Sequence, residues 1–464
     1  MHPLDGIGRP SATIRGMSDP ANRCRNGLFI AGLLLPGIAS CTTDSSRPNI
    51  VFILIDDLGI EATNSYGSQG LVRQSGDIMP YVQPNIDAIA ASSMTFRNAY
   101  ATPSCAPSRA QFLTGRYPFR TGVIWPTLPN GPLADEEVTF AELLQQTGYH
   151  TGMAGKWNLR HGIASARSTE THLEETLQHL MSQGFAEGAP FVGHTIDYGP
   201  ATPETDYLPY QTNRWARQFV AREAATERPF FLQYSLGLAH SPFVPTPIGT
   251  AEDDLGPSAG RPERAELHYL SMLEYADQLI GGLVQQIDEL GIANETVIIV
   301  AGDNGTVRRF TSRYLGKNVR GGKRGLMDTG SRVPFYVRWP GVVEAGSEYE
   351  GLTDFSDIFA TVLDLAGAPP PADRTIDGRS FARQLRGEST PHRELVYCQV
   401  QETAFVRNAE FKLVLQDRLD LKAGLYDISD SPFRETLIPE AEQTPDQAGQ
   451  RQLLLDYYEK LRGQ

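Results

Sequence analysis

The chain has 464 residues, 40% of them hydrophobic and 21% charged, which is ordinary for a globular enzyme and long enough to bury a large core. A formal net charge of −14 at pH 7 excludes a general nucleic-acid binder, which needs a basic surface. It does not exclude an anionic small substrate, because a local basic cleft can sit on an acidic protein.

At the N-terminus, Arg23 and Arg25 precede the apolar run "GLFIAGLLLPGIASC". That run is short for a membrane span and has the form of a secretory signal. Its "IASC" ending resembles a bacterial lipobox, so residues 1–41 are expected to be a signal whose Cys41 becomes lipidated, with Met17 an alternative start. Residues 42–47 then form a short tether, and Thr42 after the cysteine leans towards outer-membrane sorting. The expected location is the bacterial cell envelope, as a periplasmic or outer-membrane lipoprotein that meets the membrane only through Cys41.

The runs "NIVFILIDD", "YHTGMAGKWN", "PFFLQYSLGLAH" and "TVIIVAGDNG" are rich in Val, Ile and Phe and each ends in polar residues. They read as buried strands of a mostly parallel sheet. Helical patterns lie between them in "VQPNIDAIAASS", "TFAELLQQTG" and "ELHYLSMLEYADQLIGGLVQQIDELG", the last with Gly291 as a stop signal. Strands alternating with helices predict an α/β fold, a large mixed sheet flanked by helices, over residues 48–389. Ligands of such sheets bind beyond the carboxyl ends of the strands, where all four polar clusters sit. From residue 390 to 464 short antiparallel strands ("ELVYCQVQETAFVRNAEFKLVLQ", "AGLYDISD") and a final helix predict a smaller α+β subdomain.

With Cys24 in the signal and Cys41 lipidated, Cys105 and Cys398 remain for the folded body. Cys398 lies in an alternating run and reads as a buried apolar residue. The plain expectation in an oxidising compartment is a Cys105–Cys398 disulfide, and the frame around Cys105 argues against it. In "CAPSRAQFLTGR", Pro107 suits a first helical turn and Gly115 a helix end, which places Cys105 at a helix N-terminus, with Arg109 one turn in.

The same window resembles the signature C-x-P-S-R-x-x-x-L-T-G-R of the type I sulfatases, in the alkaline phosphatase superfamily. That resemblance implies that a formylglycine-generating enzyme oxidises Cys105, before folding, to an aldehyde whose hydrate is the nucleophile. It further implies that Asp56, Asp57, Asp303 and Asn304, completed by the modified Cys105, bind a divalent metal. Hard oxygen donors of this kind suit calcium, with magnesium possible. Taken alone, "IDD" and "GDNG" are ordinary capped turns; two such clusters at strand ends beside the signature are not. Arg109, Lys156, His240 and Lys323 match the family residues that steady the nucleophile, hold sulfate oxygens and transfer a proton to the leaving alcohol.

One position departs from the family: "GKWN" stands where "GKWH" is usual. Asn158 can donate or accept a hydrogen bond but cannot act as a base near neutral pH, so elimination of sulfate is expected to be slow, with His161 as a weak substitute. The basic run "RRFTSRYLGKNVRGGKRG" is expected to line a cleft for a polyanion through Arg308, Arg309 and Arg320, joined by His194 and Asp197. The implied activity is hydrolysis of sulfate esters, of sulfated carbohydrates in particular. The alternatives are a phosphonate or phosphodiester monoesterase of the same superfamily, and a silent lipoprotein that binds sulfated glycans.

Overall fold

The computed structural model describes residues 47–126, 133–160, 170–191, 198, 201, 203–249, 262–418 and 420–463. The signal, the lipobox, all but the last residue of the tether, His161, His194 and Asp197 lie outside the described residues.

Each apolar run read as a buried strand is one: Asn49–Ile55, His150–Lys156, Phe230–Leu236 and Thr296–Gly302. They are neighbours in an eight-stranded sheet. From edge to edge its order is Glu348–Asp354, Met94–Tyr100, Phe335–Arg338, Thr296–Gly302, Asn49–Ile55, Phe230–Leu236, His150–Lys156 and Glu187–Phe191. Phe335–Arg338 runs against both of its neighbours, and the other pairings are parallel.

The alternation along the first strand explains why the sheet is covered on both sides. Val51, Ile53 and Ile55 pack into one core with Phe219, Tyr269 and Leu283, from the helices Leu208–Glu223 and Pro262–Glu289. Ile50, Phe52 and Leu54 face a second core with Phe112, Phe140 and Phe359, from Cys105–Thr114, Phe140–Gln146 and Ser356–Ala366. Each such side chain contributes about 1.5–3 kcal/mol when fully buried. The helix Phe140–Gln146 starts with a capping box: Thr139 Oγ1 accepts from the Glu142 N–H, and Glu142 Oε1 accepts from the Thr139 N–H at 3.0 Å.

The basic run is not a plain loop. Thr311–Tyr314 and Lys317–Arg320 form a hairpin within a second, four-stranded sheet that also contains Ser68–Val72 and Ile78–Met79. The C-terminal strands Val396–Val400, Thr403–Arg407, Phe411–Val414, Gly424–Asp427 and Thr436–Ile438 form an antiparallel sheet in chain order, followed by the helix Pro445–Gly463. This sheet is tied to the body at Asp328, which accepts from Lys412 Nζ and Arg407 Nη1, both at 2.7 Å. Among the described residues no helix is long and apolar enough to cross a membrane.

Candidate active site

Sheet register brings the strand ends level. Ile55 is paired with Leu236 on one side and Gly302 on the other, and Gly155 with Ser235. The chain therefore delivers Asp56–Asp57, Asp303–Asn304, Lys156 and, after a short turn, His240 to one edge. Asp57 takes a left-handed φ of +59°, which a short polar side chain tolerates. Its N–H donates to Asp303 Oδ1 at 3.1 Å, and the Asp303 N–H donates to the Ile55 carbonyl at 3.0 Å. Gly302 permits this closeness, since a Cβ there would lie 2.1 Å from the Leu58 carbonyl oxygen.

Cys105 is the first residue of the helix Cys105–Thr114, and Gly115 closes that helix at φ +68°. The thiol is buried, and burial pushes its pKa up to about 12. Cys398 is buried on its strand, with Sγ 3.5 Å from the Ala101 carbonyl, and both cysteines are free thiols, so the disulfide expected from compartment alone is absent. Arg109, 1% exposed, donates to Asp303 Oδ2 and to the Lys156 carbonyl, each at 2.7 Å. One guanidinium thereby ties the cysteine helix to two strand ends.

Lys156 Nζ pairs with Asp56 Oδ2, and Lys323 Nζ with Asp57 Oδ1. Burial alone would raise the Asp56 carboxyl, but Lys156, His240, Arg109 and Lys323 together hold it well below the usual range. Asp303 is raised, by burial and then by the charge of Asp56. His240 is pulled down to about 3, first by burial and then by Lys156 and Lys323, with Asp56 and Asp57 opposing. Its Nδ1 lies 2.6 Å from the Ser241 carbonyl and donates to it, which makes Nε2 the ring nitrogen that can take up a proton. The Tyr198 hydroxyl, 2.7 and 2.6 Å from the Gly237 and His240 carbonyls, fixes that turn. Lys323 is delivered by a tight approach: a Cβ on Gly322 would lie 2.3 Å from Thr329 Oγ1.

The donor set fits a hard divalent cation. Asp56 Oδ1, Asp57 Oδ2 and Asn304 Oδ1 are buried oxygens without hydrogen-bond partners. Buried, unpaired carboxylate oxygens are costly unless a cation meets them. Ligating atoms of Asp56, Asp57, Cys105 and His240 all lie within 4.8 Å of one another. Asp303 has both oxygens engaged, by the Asp57 N–H and Arg109, so it would share a lone pair with an ion.

Asn158 follows Lys156 by two residues, at a left-handed φ of +57°, and its amide Nδ2 is buried without a partner. Arg308 and Arg309 precede the second sheet's hairpin, whose second strand ends at Arg320, and Arg320 Nε donates to the Arg308 carbonyl at 2.5 Å. Sequence reasoning missed Tyr198, the Thr306 hydroxyl that accepts from the Gly59 N–H at 3.1 Å, and Glu61, fully buried beside the metal-ligand loop. A lone Glu after "DDLGI" carries no signal of burial; only the tertiary fold encloses it.

Cations gathered around a recessed side chain, with carboxylates behind them and an imidazole alongside, suit the transfer of a tetrahedral oxyanion from an oxygen. The fold and site thus define an ester hydrolase of the alkaline phosphatase-like α/β type. Residues 48–368 match the sulfatase family, and residues 321–448 match the family described as N-sulphoglucosamine sulphohydrolase, C-terminal. The chain belongs to the sulfatase family and is a sulfuric ester hydrolase. Steryl-sulfatase of Homo sapiens is 30% identical, covering 74% of this chain and 70% of its own length. N-acetylgalactosamine-6-O-sulfatase of Bacteroides thetaiotaomicron is 25% identical over 89% of this chain and 95% of its own. A solved sulfatase from Pseudoalteromonas sp. shares the fold with a TM-score of 0.67 at 22% identity, covering 90% of this chain and 91% of that one. A phosphonate monoester hydrolase of Agrobacterium radiobacter shares it with a TM-score of 0.65 at 19% identity, covering 90% and 96%.

Proposed function

We propose that this sulfatase hydrolyses sulfate esters of carbohydrates, using formylglycine made from Cys105 and a calcium ion at Asp56, Asp57, Asp303 and Asn304, with magnesium as the substitute ion. The observation that carries the reading is Arg109, which joins Asp303 to the Lys156 carbonyl one helical turn from Cys105. When bound, the ion supplies positive charge to the sulfate oxygens and to the oxygen nucleophile of the modified residue.

The chain's own side chains do the rest. Lys156 and Lys323, now held by Asp56 and Asp57, bind sulfate oxygens when substrate competes for them. His240 Nε2 faces proton exchange with the leaving oxygen, assisted by Lys323, and the negative charge of a bound sulfate raises its affinity for that proton. Asn158 offers its free amide to orient the nucleophile but accepts no proton, so release of sulfate is the slow step.

Carbohydrate as the alcohol is supported by relatives named for N-acetylgalactosamine sulfate and by the basic surface at Arg308 and Arg309. The steryl-sulfatase relative points to an apolar alcohol, and that basic surface speaks against it here. The export signal and "IASC" support an envelope lipoprotein anchored at Cys41, modified by a formylglycine-generating enzyme before folding. The test compares matched aryl sulfate and aryl phosphonate esters with modified protein. Faster turnover of the sulfate supports the reading, and preference for the phosphonate replaces it with the monoesterase.

A further inference from the structure

His179 lies on the helix Glu170–Ser182, outside the site above, and both of its ring nitrogens are engaged. Nδ1 lies 3.0 Å from the Trp157 indole Nε1, and Nε2 lies 3.1 Å from the Leu133 carbonyl. An indole N–H can only donate and a carbonyl can only accept, so the two partners together fix the tautomer. Nδ1 accepts, Nε2 carries the proton, and the imidazole is neutral. The Leu133 N–H in turn donates to the Leu159 carbonyl at 2.9 Å. His179 and Leu133 thereby fasten Trp157 and Leu159, the two neighbours of Asn158.

Asn158 is left-handed, at φ +57°, a conformation that asparagine tolerates more readily than most residues. Its neighbours supply the constraint. The Lys156 carbonyl accepts from Arg109 at 2.7 Å, the Trp157 indole donates to His179, and the Leu159 carbonyl accepts from Leu133. Trp157 is 1% exposed and meets the His179 and Phe185 rings edge-on, with 5.9 and 5.7 Å between ring centres.

Protonation of His179 is incompatible with this arrangement. A proton on Nδ1 would face the indole N–H, donor against donor, and leave that buried N–H unmatched. Burial, first, holds the His179 pKa below its ordinary value of 6.5, with Arg160 acting the same way and the Leu133 carbonyl and Asp135 opposing. Arg160 is itself paired with Glu175, one turn back on the helix of His179, and Asp135 accepts from the Ser182 hydroxyl at 3.5 Å.

We propose that His179 is a positioning residue for sulfate release: as the neutral imidazole it holds Asn158 in its left-handed turn, and in acid it lets that turn go. The proposal rests on the reading of Asn158 as the group that orients the nucleophile.

Two measurements on the full chain test it. The first is the indole N–H spectrum of nitrogen-15-labelled protein with Cys105 unmodified, followed from about pH 8 to about pH 4.5. The Trp157 resonance, identified by its loss in Trp157→Phe, should move with a midpoint below 6.5 in the parent. It should stay in place in His179→Asn, whose side-chain oxygen can accept from the indole but does not titrate. The second is rapid mixing of the modified protein with an aryl sulfate. His179→Leu should slow the steady rate by about tenfold while the rate of the alcohol burst stays within about twofold, and His179→Asn should recover most of the loss. The burst amplitude counts folded sites, so a loss of stability alone leaves both rates per site unchanged. With a burst in the parent, the proposal alone is overturned by an indole resonance that does not titrate, by equal slowing of burst and steady rate, or by an asparagine variant no faster than the leucine one. A linear trace in the parent overturns the reading of Asn158 and the proposal with it.

Discussion

Asp328 and Asp56 are both fully buried carboxylates among cations, yet their surroundings are completed in opposite ways. Asp328 accepts from Lys412, Arg407, the Tyr100 hydroxyl at 3.0 Å and Ser431 Oγ at 2.7 Å, while Glu435 takes up the remaining reach of Lys412. No buried side-chain nitrogen or oxygen of Asp328, Arg407, Lys412 or Glu435 is left without a partner. Around Asp56 the cations are as close, but one oxygen each of Asp56, Asp57 and Asn304 is unmatched. A closed cluster holds parts of a fold together; an open one is unfinished until a ligand arrives. Neither charge burial nor a single unmatched oxygen marks an active site, since both oxygens of Glu61 are unmatched too; several unmatched oxygens gathered among cations at the strand ends do.

The largest expected effects separate the two clusters. Asp56→Asn should lower turnover by at least about a thousandfold and abolish the calcium-dependent rise in melting temperature. At an ion concentration near a hundred times Kd, that rise in the parent protein corresponds to about 2.7 kcal/mol. Asp328→Asn should do the reverse, costing about 3–5 kcal/mol of stability while sparing kcat per folded molecule. Both variants need only a melting curve and an aryl sulfatase assay, and an exchange of their phenotypes would break the comparison.

A smaller effect is expected at Asn158. Rapid mixing of the modified protein with an aryl sulfate should show a burst of alcohol and then a slower steady rate. Asn158→His should raise that steady rate by about tenfold or more and remove the burst. A linear trace in the parent protein counts against slow sulfate release.

Glu61 gives the finest test, because it is buried behind the metal loop without a cation. Burial pushes its carboxyl up to about 7, the Thr306 hydroxyl pulling the other way, against an ordinary value of 4.5. The folded chain then binds a proton that the unfolded chain has released, so stability falls as pH rises from 4.5 through about 7 and levels off above. The fall attributable to this group is about 3 kcal/mol. Chemical denaturation between pH 4.5 and 8 should show the slope in the parent protein and its loss in Glu61→Gln; a retained slope assigns it elsewhere.

The strands that end at the candidate site were legible because they are buried on both faces, and an uninterrupted run such as "VFILI" has no other comfortable place. The edge strand Glu348–Asp354 and the short strand Phe335–Arg338 were not read as strands, since exposed edges and brief spans leave mixed composition. Cys105 and its partners were legible through a fixed local frame. The role of His179 was not, because it depends on partners 22 and 46 residues away and on a contact with a backbone carbonyl, which any residue at 133 would offer. Reading "RRFTSRYLGKNVRGGKRG" as one basic strip also missed its division: Lys317 is paired off to Asp430, while Lys323 pairs with Asp57 in the site.

The most direct test of the central claim is the mass of the Cys105 peptide from protein produced alongside a formylglycine-generating enzyme, taken with sulfate release by the same preparation. The account predicts an aldehyde or its hydrate at Cys105, and sulfate release that rises in step with the modified fraction. Sulfate release equally fast from protein whose Cys105 remains a thiol, or none from fully modified protein supplied with calcium, would contradict it.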